Sequence, residues 1–151
     1  MSLIPLPIVV CALDDQIGRP VSELLLPNIE VIHFIQSLEA AQQEIPHLLA
    51  GNDPNSPHAN NVGSHNYRPV RSIIFGRGFD LKDIEELRQK VAGIALEPVI
   101  WIAGDRNRKL PPGAQPPPNY PQIVAAVASN LLNSWIEEGA SEDKIILYQK
   151  L

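Results

Sequence analysis

Short, mostly apolar runs rich in β-branched residues alternate with amphipathic stretches along this chain. That alternation narrows the possible fold more than any other feature. PIVVCAL at 7–13, IEVIHFI at 29–35, residues 70–75, PVIWIA at 98–103 and KIILY at 144–148 are such runs. Strands of this composition are buried on both faces, as in a parallel sheet covered by helices.

The intervening stretches repeat with helical spacing. Residues 17–26 predict a short helix with Pro20 in its first turn and Val21, Leu24 and Leu25 as its apolar face. Ser37 is placed to cap a second helix in which Leu38, Ala41, Ile45 and Leu48 share one side, with Pro46 expected to kink or restart it. Asp80 is placed to cap a third helix with the stripe Leu81, Ile84, Leu87 and Val91. Residues 121–139 give the longest helix. Its expected buried line is Ile123, Val127, Leu131 and Trp135, and Val124, Ala128, Leu132 and Ile136 add apolar residues beyond that stripe.

The order βαβαβαβαβ over 151 residues predicts one α/β domain, a three-layer sandwich around a five-stranded, mostly parallel sheet. Right-handed crossovers leave two common strand orders, flavodoxin-like 2-1-3-4-5 and Rossmann-like 3-2-1-4-5. No helix follows the fifth strand. One sheet edge is therefore expected to be bare, which suits a homodimer or a partner protein. Two long loops, 52–68 and 105–120, interrupt the pattern and hold many of the 15 prolines.

Composition excludes several classes. The net charge of -5, without a basic block, argues against a nucleic-acid partner and against an anionic membrane surface. No apolar run reaches the roughly 18 residues of a membrane span. The apolar start lacks a basic n-region, so a cytoplasmic protein is expected. The single Cys11 rules out an internal disulfide or a cysteine-based zinc site and reads as a small buried hydrophobe.

In either strand order, ligands bind beyond the carboxyl ends of the strands. That rule selects Asp14 and Asp15 after the first strand, Gly76, Arg77 and Gly78 after the third, and Arg106 after the fourth. Flanking glycines let the backbone approach a ligand, and Arg77 can pair bidentately with a carboxylate or phosphate. The alternative readings are a carboxylate-capped helix start at Asp14–Asp15, a tight turn at Gly76–Gly78 and a solvated loop at Arg106. His33 and His47 fall inside regular elements and read as structural. His58 and His65 have no metal-ligand spacing, and the loop carrying them belongs by default to the opposite end of the sheet.

The first crest loop resembles two families. It is similar to the glycine-rich turn of NAD(P)-binding Rossmann domains of the atypical short-chain dehydrogenase type. Ala12, Asp15 and Gly18 stand at the three glycine positions, and Asp15 would face the pyrophosphate. The chain also resembles response-regulator receiver domains. Asp14 and Asp15 look like their Mg²⁺-holding acidic pair, VIHFIQSLEAAQQEI looks like their second strand and helix, and PVIWIA looks like their fourth strand. Lys150 lies near their lysine. The phospho-accepting aspartate would end strand three, where this chain has Phe75, Gly76 and Arg77.

The functional expectation is a binding or protein-interaction module without catalysis, cofactor or metal. The rivals are a small enzyme or binding protein for an anionic metabolite, anchored by Arg77 with Asp14 or Asp15 as acid/base, and an atypical NAD(P) binder.

Overall fold

The computed structural model describes residues 5–12, 15–54, 63, 64, 66–76, 79–95, 98–104, 120–140 and 144–148. The elements run β1 (Leu6–Cys11), α1 (Asp15–Leu25), β2 (Ile29–Ile35), α2 (Leu38–Leu49), β3 (Ser72–Phe75), α3 (Leu81–Lys90), β4 (Ile100–Gly104), α4 (Tyr120–Glu137) and β5 (Lys144–Tyr148). Every strand pairing is parallel, and the order across the sheet is β2-β1-β3-β4-β5. Of the two orders weighed from the sequence, 2-1-3-4-5 is the one found. No helix follows β5 among the described residues.

The helices cap as their sequences predict. The Ser37 side chain accepts a hydrogen bond from the Ala40 amide, and Asp80 accepts one from the Lys82 amide. Both satisfy amides left without partners in a first turn. Helix α2 runs through Pro46 as one element.

The sheet separates two cores. On one side Val9, Cys11, Ile73 and Trp101 meet α2 and α3 through Ala41, Ile45, Ile84 and Leu87. On the other, Ile8, Val10, Ile74 and Ile102 meet α1 and α4 through Val21, Leu25, Ala128 and Leu132. Three helix faces follow the predicted stripes closely, although Leu24 is exposed. Helix α4 differs. Its buried line is Ala125, Ala128, Leu132 and Trp135, while Ile123, Val127 and Leu131 are half-buried. Small residues let α4 approach α1 closely, and that contact sets the rotation of the helix.

These face assignments fix the sense of each crossover. The connections through α1, α2 and α3 share one hand. The β4–α4–β5 connection steps in the same lateral direction as β3–α3–β4 but places its helix on the opposite face, so it has the other hand. Uniform handedness, the expectation from sequence, is corrected here. The end of α4 is tied to the sheet by Arg71, which lies over the Trp135 ring and donates to the carbonyls of Pro98 and Ala140 at 3.0 Å each. Among the described residues, no helix of this connection lies on the α3 side of β4 and β5.

The β2 edge is managed differently. Residues 63, 64 and 66–68 lie along it: Ser64 donates its amide to the Val31 carbonyl, and Arg68 donates to Glu30 at 2.8 Å and to the Pro5 carbonyl at 2.7 Å. A side chain at Gly63 would collide with the backbone of Ile32 and His33, at 2.5 Å from a carbonyl oxygen and 2.7 Å from a Cα. Only glycine lets the strap lie this close.

Candidate functional site at the strand crest

The order 2-1-3-4-5 puts the point where strand succession reverses between β1 and β3. The helices after these two strands lie on opposite faces, the arrangement beside which open α/β sheets bind ligands. Cys11 pairs with Phe75, and just beyond them the Gly76 amide donates to the Cys11 carbonyl at 2.8 Å. A Cβ on Gly76 would sit 3.5 Å from the Ala12 Cβ, an ordinary contact. The backbone here thus has room for a side chain, and close packing does not impose the glycine.

Topology therefore brings the end of β3 at Gly76 against the end of β1 at Ala12. Gly76 lies at the end of β3 against Ala12, and Asp15 is the first residue of α1. Asp14, Arg77, Gly78 and Arg106 lie outside the described residues, as do His58, His65 and Lys150. Phe79, where the described chain resumes after Gly76, is anchored. Phe79 is buried with its ring edge against Phe75, centroids 5.5 Å apart, and Phe75 stacks on Trp101 at 6.0 Å. Phe79, which the sequence reading did not single out, holds the end of the segment that carries Arg77.

Gly18 has a definite packing role. A Cβ there would lie 2.7 Å from Cζ of the Phe34 ring. Glycine allows α1 to rest on β2 at short range, one of the jobs a glycine performs in a dinucleotide-binding turn. The same job serves any closely packed α/β unit.

A second polar constellation is buried below the crest. His33 Nε2 and Glu44 Oε1 are 2.5 Å apart, and His33 Nδ1 is 2.9 Å from the Tyr67 hydroxyl. His33 and Glu44 expose only 1% and 3% of their surfaces, so neither can exchange protons with a ligand in solution. A register shift between Ile8 and Val9 creates the arrangement. Val31 pairs with Ile8 but His33 with Val9, so Ile32 is the extra residue. The bulge turns His33 toward the α2 side, where Glu44 waits. Sequence contained half of this signal: Glu44 stands within the apolar face formed by Ala41, Ile45 and Leu48, and such a residue needs a buried partner. The bulge and Tyr67, contributed by a distant loop, left no local trace.

Cys11 is fully buried on the same side, and burial pushes its thiol well above the ordinary range, with the Glu44 carboxylate adding to the effect. It behaves as the small core residue expected. Among the described residues, no group of three or more His, Cys, Asp or Glu stands close enough to hold a metal ion, and no helix is long and apolar enough to cross a membrane.

No family model and no solved structure matches the chain. It is 30% identical to Kojic acid related protein 6 of Aspergillus oryzae (strain ATCC 42149 / RIB 40) over 134 residues, which cover 89% of this chain and 80% of that protein. Because the match runs across nearly the whole of both chains, this protein belongs to the family of Kojic acid related protein 6.

Proposed function

We propose that this chain is a non-catalytic binding module that takes a small anionic ligand at the crest between β1 and β3, with Arg77 as the anchor. The observation that carries the reading is the direct apposition of Ala12 and Gly76 at the reversal of strand order. That is the place where open α/β sheets bind ligands. The sequence supplies a guanidinium at the next position, flanked by glycines. Binding without turnover is favoured because His33–Glu44, the hydrogen-bonded acid–base pair among the described residues, is sealed in the core. Asp15, at a glycine position of the Rossmann turn it resembles, disfavours a dinucleotide pyrophosphate by like-charge repulsion.

The relative's name ties that protein to kojic acid, so kojic acid belongs among the probes. Calorimetric titration with inorganic phosphate, a dicarboxylate, kojic acid and NADPH tests the reading. One of the small acids is expected to bind saturably and be recovered unchanged, and NADPH is not. Arg77→Ala should weaken that binding about 10- to 100-fold, the value of a hydrogen bond to a charged group. Equal affinity in wild type and Arg77→Ala, or chemical conversion of the probe, would overturn it.

A further inference from the structure

We infer that Pro117, Pro118, Asn119 and Tyr120 form a docking motif for a WW-type module, a folded partner domain that grips proline-rich segments in an aromatic-lined groove. The inference does not depend on ligand binding between β1 and β3.

The connection from Gly104, the end of β4, to Tyr120, the start of α4, carries Pro111, Pro112 and the run Pro116, Pro117 and Pro118, with Pro121 just inside the helix. Residues 105–119 lie outside the described residues, and it is their amino acids that carry the chemistry. Proline has no N–H and a fixed φ, so a run of prolines suits neither a helix interior nor a central strand. Such a run binds partners as polyproline II, at low entropic cost because φ is already set. That helix has about three residues per turn, so in a bound segment positions 117 and 120 share a face and 118 stands beside them. Two pyrrolidine rings and a phenol then make one apolar ridge that ends in a hydroxyl. Aromatic groove walls suit the rings, and a polar group at the end of the groove suits the hydroxyl.

The start of α4 selects this kind of module. Grooves of the SH3 type also take proline-rich segments, but they read the spacing Pro-x-x-Pro in extended form. Pro118 and Pro121 have that spacing, yet Pro121 lies inside α4, which runs from Tyr120 to Glu137. Proline is favoured in a first helical turn, where its missing N–H costs nothing, and so Pro121 helps to fix the boundary. An extended ligand therefore ends at Tyr120. The Pro-Pro-x-Tyr ridge is complete at that junction, and the Pro-x-x-Pro one is not.

Calorimetric titration of the full chain with an isolated WW module that takes Pro-Pro-x-Tyr peptides tests the inference. Saturable binding at micromolar concentration is expected. Tyr120→Ala and Pro118→Ala should each weaken it about 10-fold or more, the effect of truncating an anchor residue. Pro118→Ala precedes α4, so it decides the matter if Tyr120→Ala disturbs the helix, which far-ultraviolet circular dichroism reports. Pro112→Ala, outside the motif, should bind as the wild type does. Absence of binding, or equal affinity in the wild type and Pro118→Ala, would overturn the inference. Binding of a synthetic 115–121 peptide but not of the full chain would also overturn it, because the fold then withholds the motif. So would capture by an SH3 module with the WW module left unbound.

Discussion

Removal of Glu44 should cost the fold more than any surface change, and the structure lets the cost be worked out. Glu44 is 3% exposed and its acceptor oxygen faces His33, itself 1% exposed. Glu44→Ala deletes the acceptor and leaves an imidazole N–H in a core that water does not reach. Breaking a buried pair from one side costs about 3–5 kcal/mol. Glu44→Gln keeps an acceptor oxygen but loses the charge, which reduces the loss to about 1–2 kcal/mol. Replacing both partners, His33→Leu with Glu44→Leu, removes the orphaned groups together. The double variant should be more stable than the sum of the single leucine variants predicts, by about 2 kcal/mol. Urea unfolding of the wild type, the two single leucine variants and the double variant completes the cycle. Additivity to within about 0.5 kcal/mol would refute the coupling and with it the view that His33 is held by Glu44.

Other consequences concern packing, protons and the thiol. Gly18→Ala adds a methyl group inside contact distance of the Phe34 ring. Overpacking of about 1–3 kcal/mol should outweigh the gain of about 1 kcal/mol in helix propensity, so the melting temperature falls, and less so in a Phe34→Leu background. Burial alone would raise the Glu30 carboxyl, but hydrogen bonds from Ser64, Asn66 and Arg68 and the Arg68 charge hold it below its ordinary range. A lowered folded-state value gives stability that is present above the unfolded value and lost as pH falls through the folded one. The protection of the Ser64 amide, relative to its intrinsic exchange rate, should therefore fall on acidification in the wild type, and Glu30→Gln should lack that step. Cys11, fully buried with a raised thiol, should be alkylated only as the chain unfolds. Rapid modification of the native protein, read by intact mass, would contradict this.

What the sequence revealed was local. Ser37 and Asp80 announce helix starts because a cap acts on amides only a few residues away. The five apolar runs announce strands because a strand buried on both faces needs no partner information to be seen. Non-local features stayed hidden. In α4 two apolar lines compete, and the choice of Ala125, Ala128 and Leu132 depends on the closeness of α1. The reversed hand of the last crossover is a relation between β4, α4 and β5 that no local residue pattern carries. At the candidate site, the rule about carboxyl strand ends picked out the Gly76 loop, but only the strand order shows that Gly76 abuts Ala12. The Tyr67–His33–Glu44 chain joins a loop, a bulge and a helix, so it could be read only as two polar residues placed where apolar ones belong.

Backbone amide chemical shifts report residue by residue where a ligand binds. Titration of the ¹⁵N-labelled protein with the small acid that binds in calorimetry should move the amides of Ala12 and Gly76 most, saturably, and leave Val91 to Ala95 in place. Shifts concentrated along α3 and β5, with Ala12 and Gly76 unmoved, would contradict a crest site between β1 and β3.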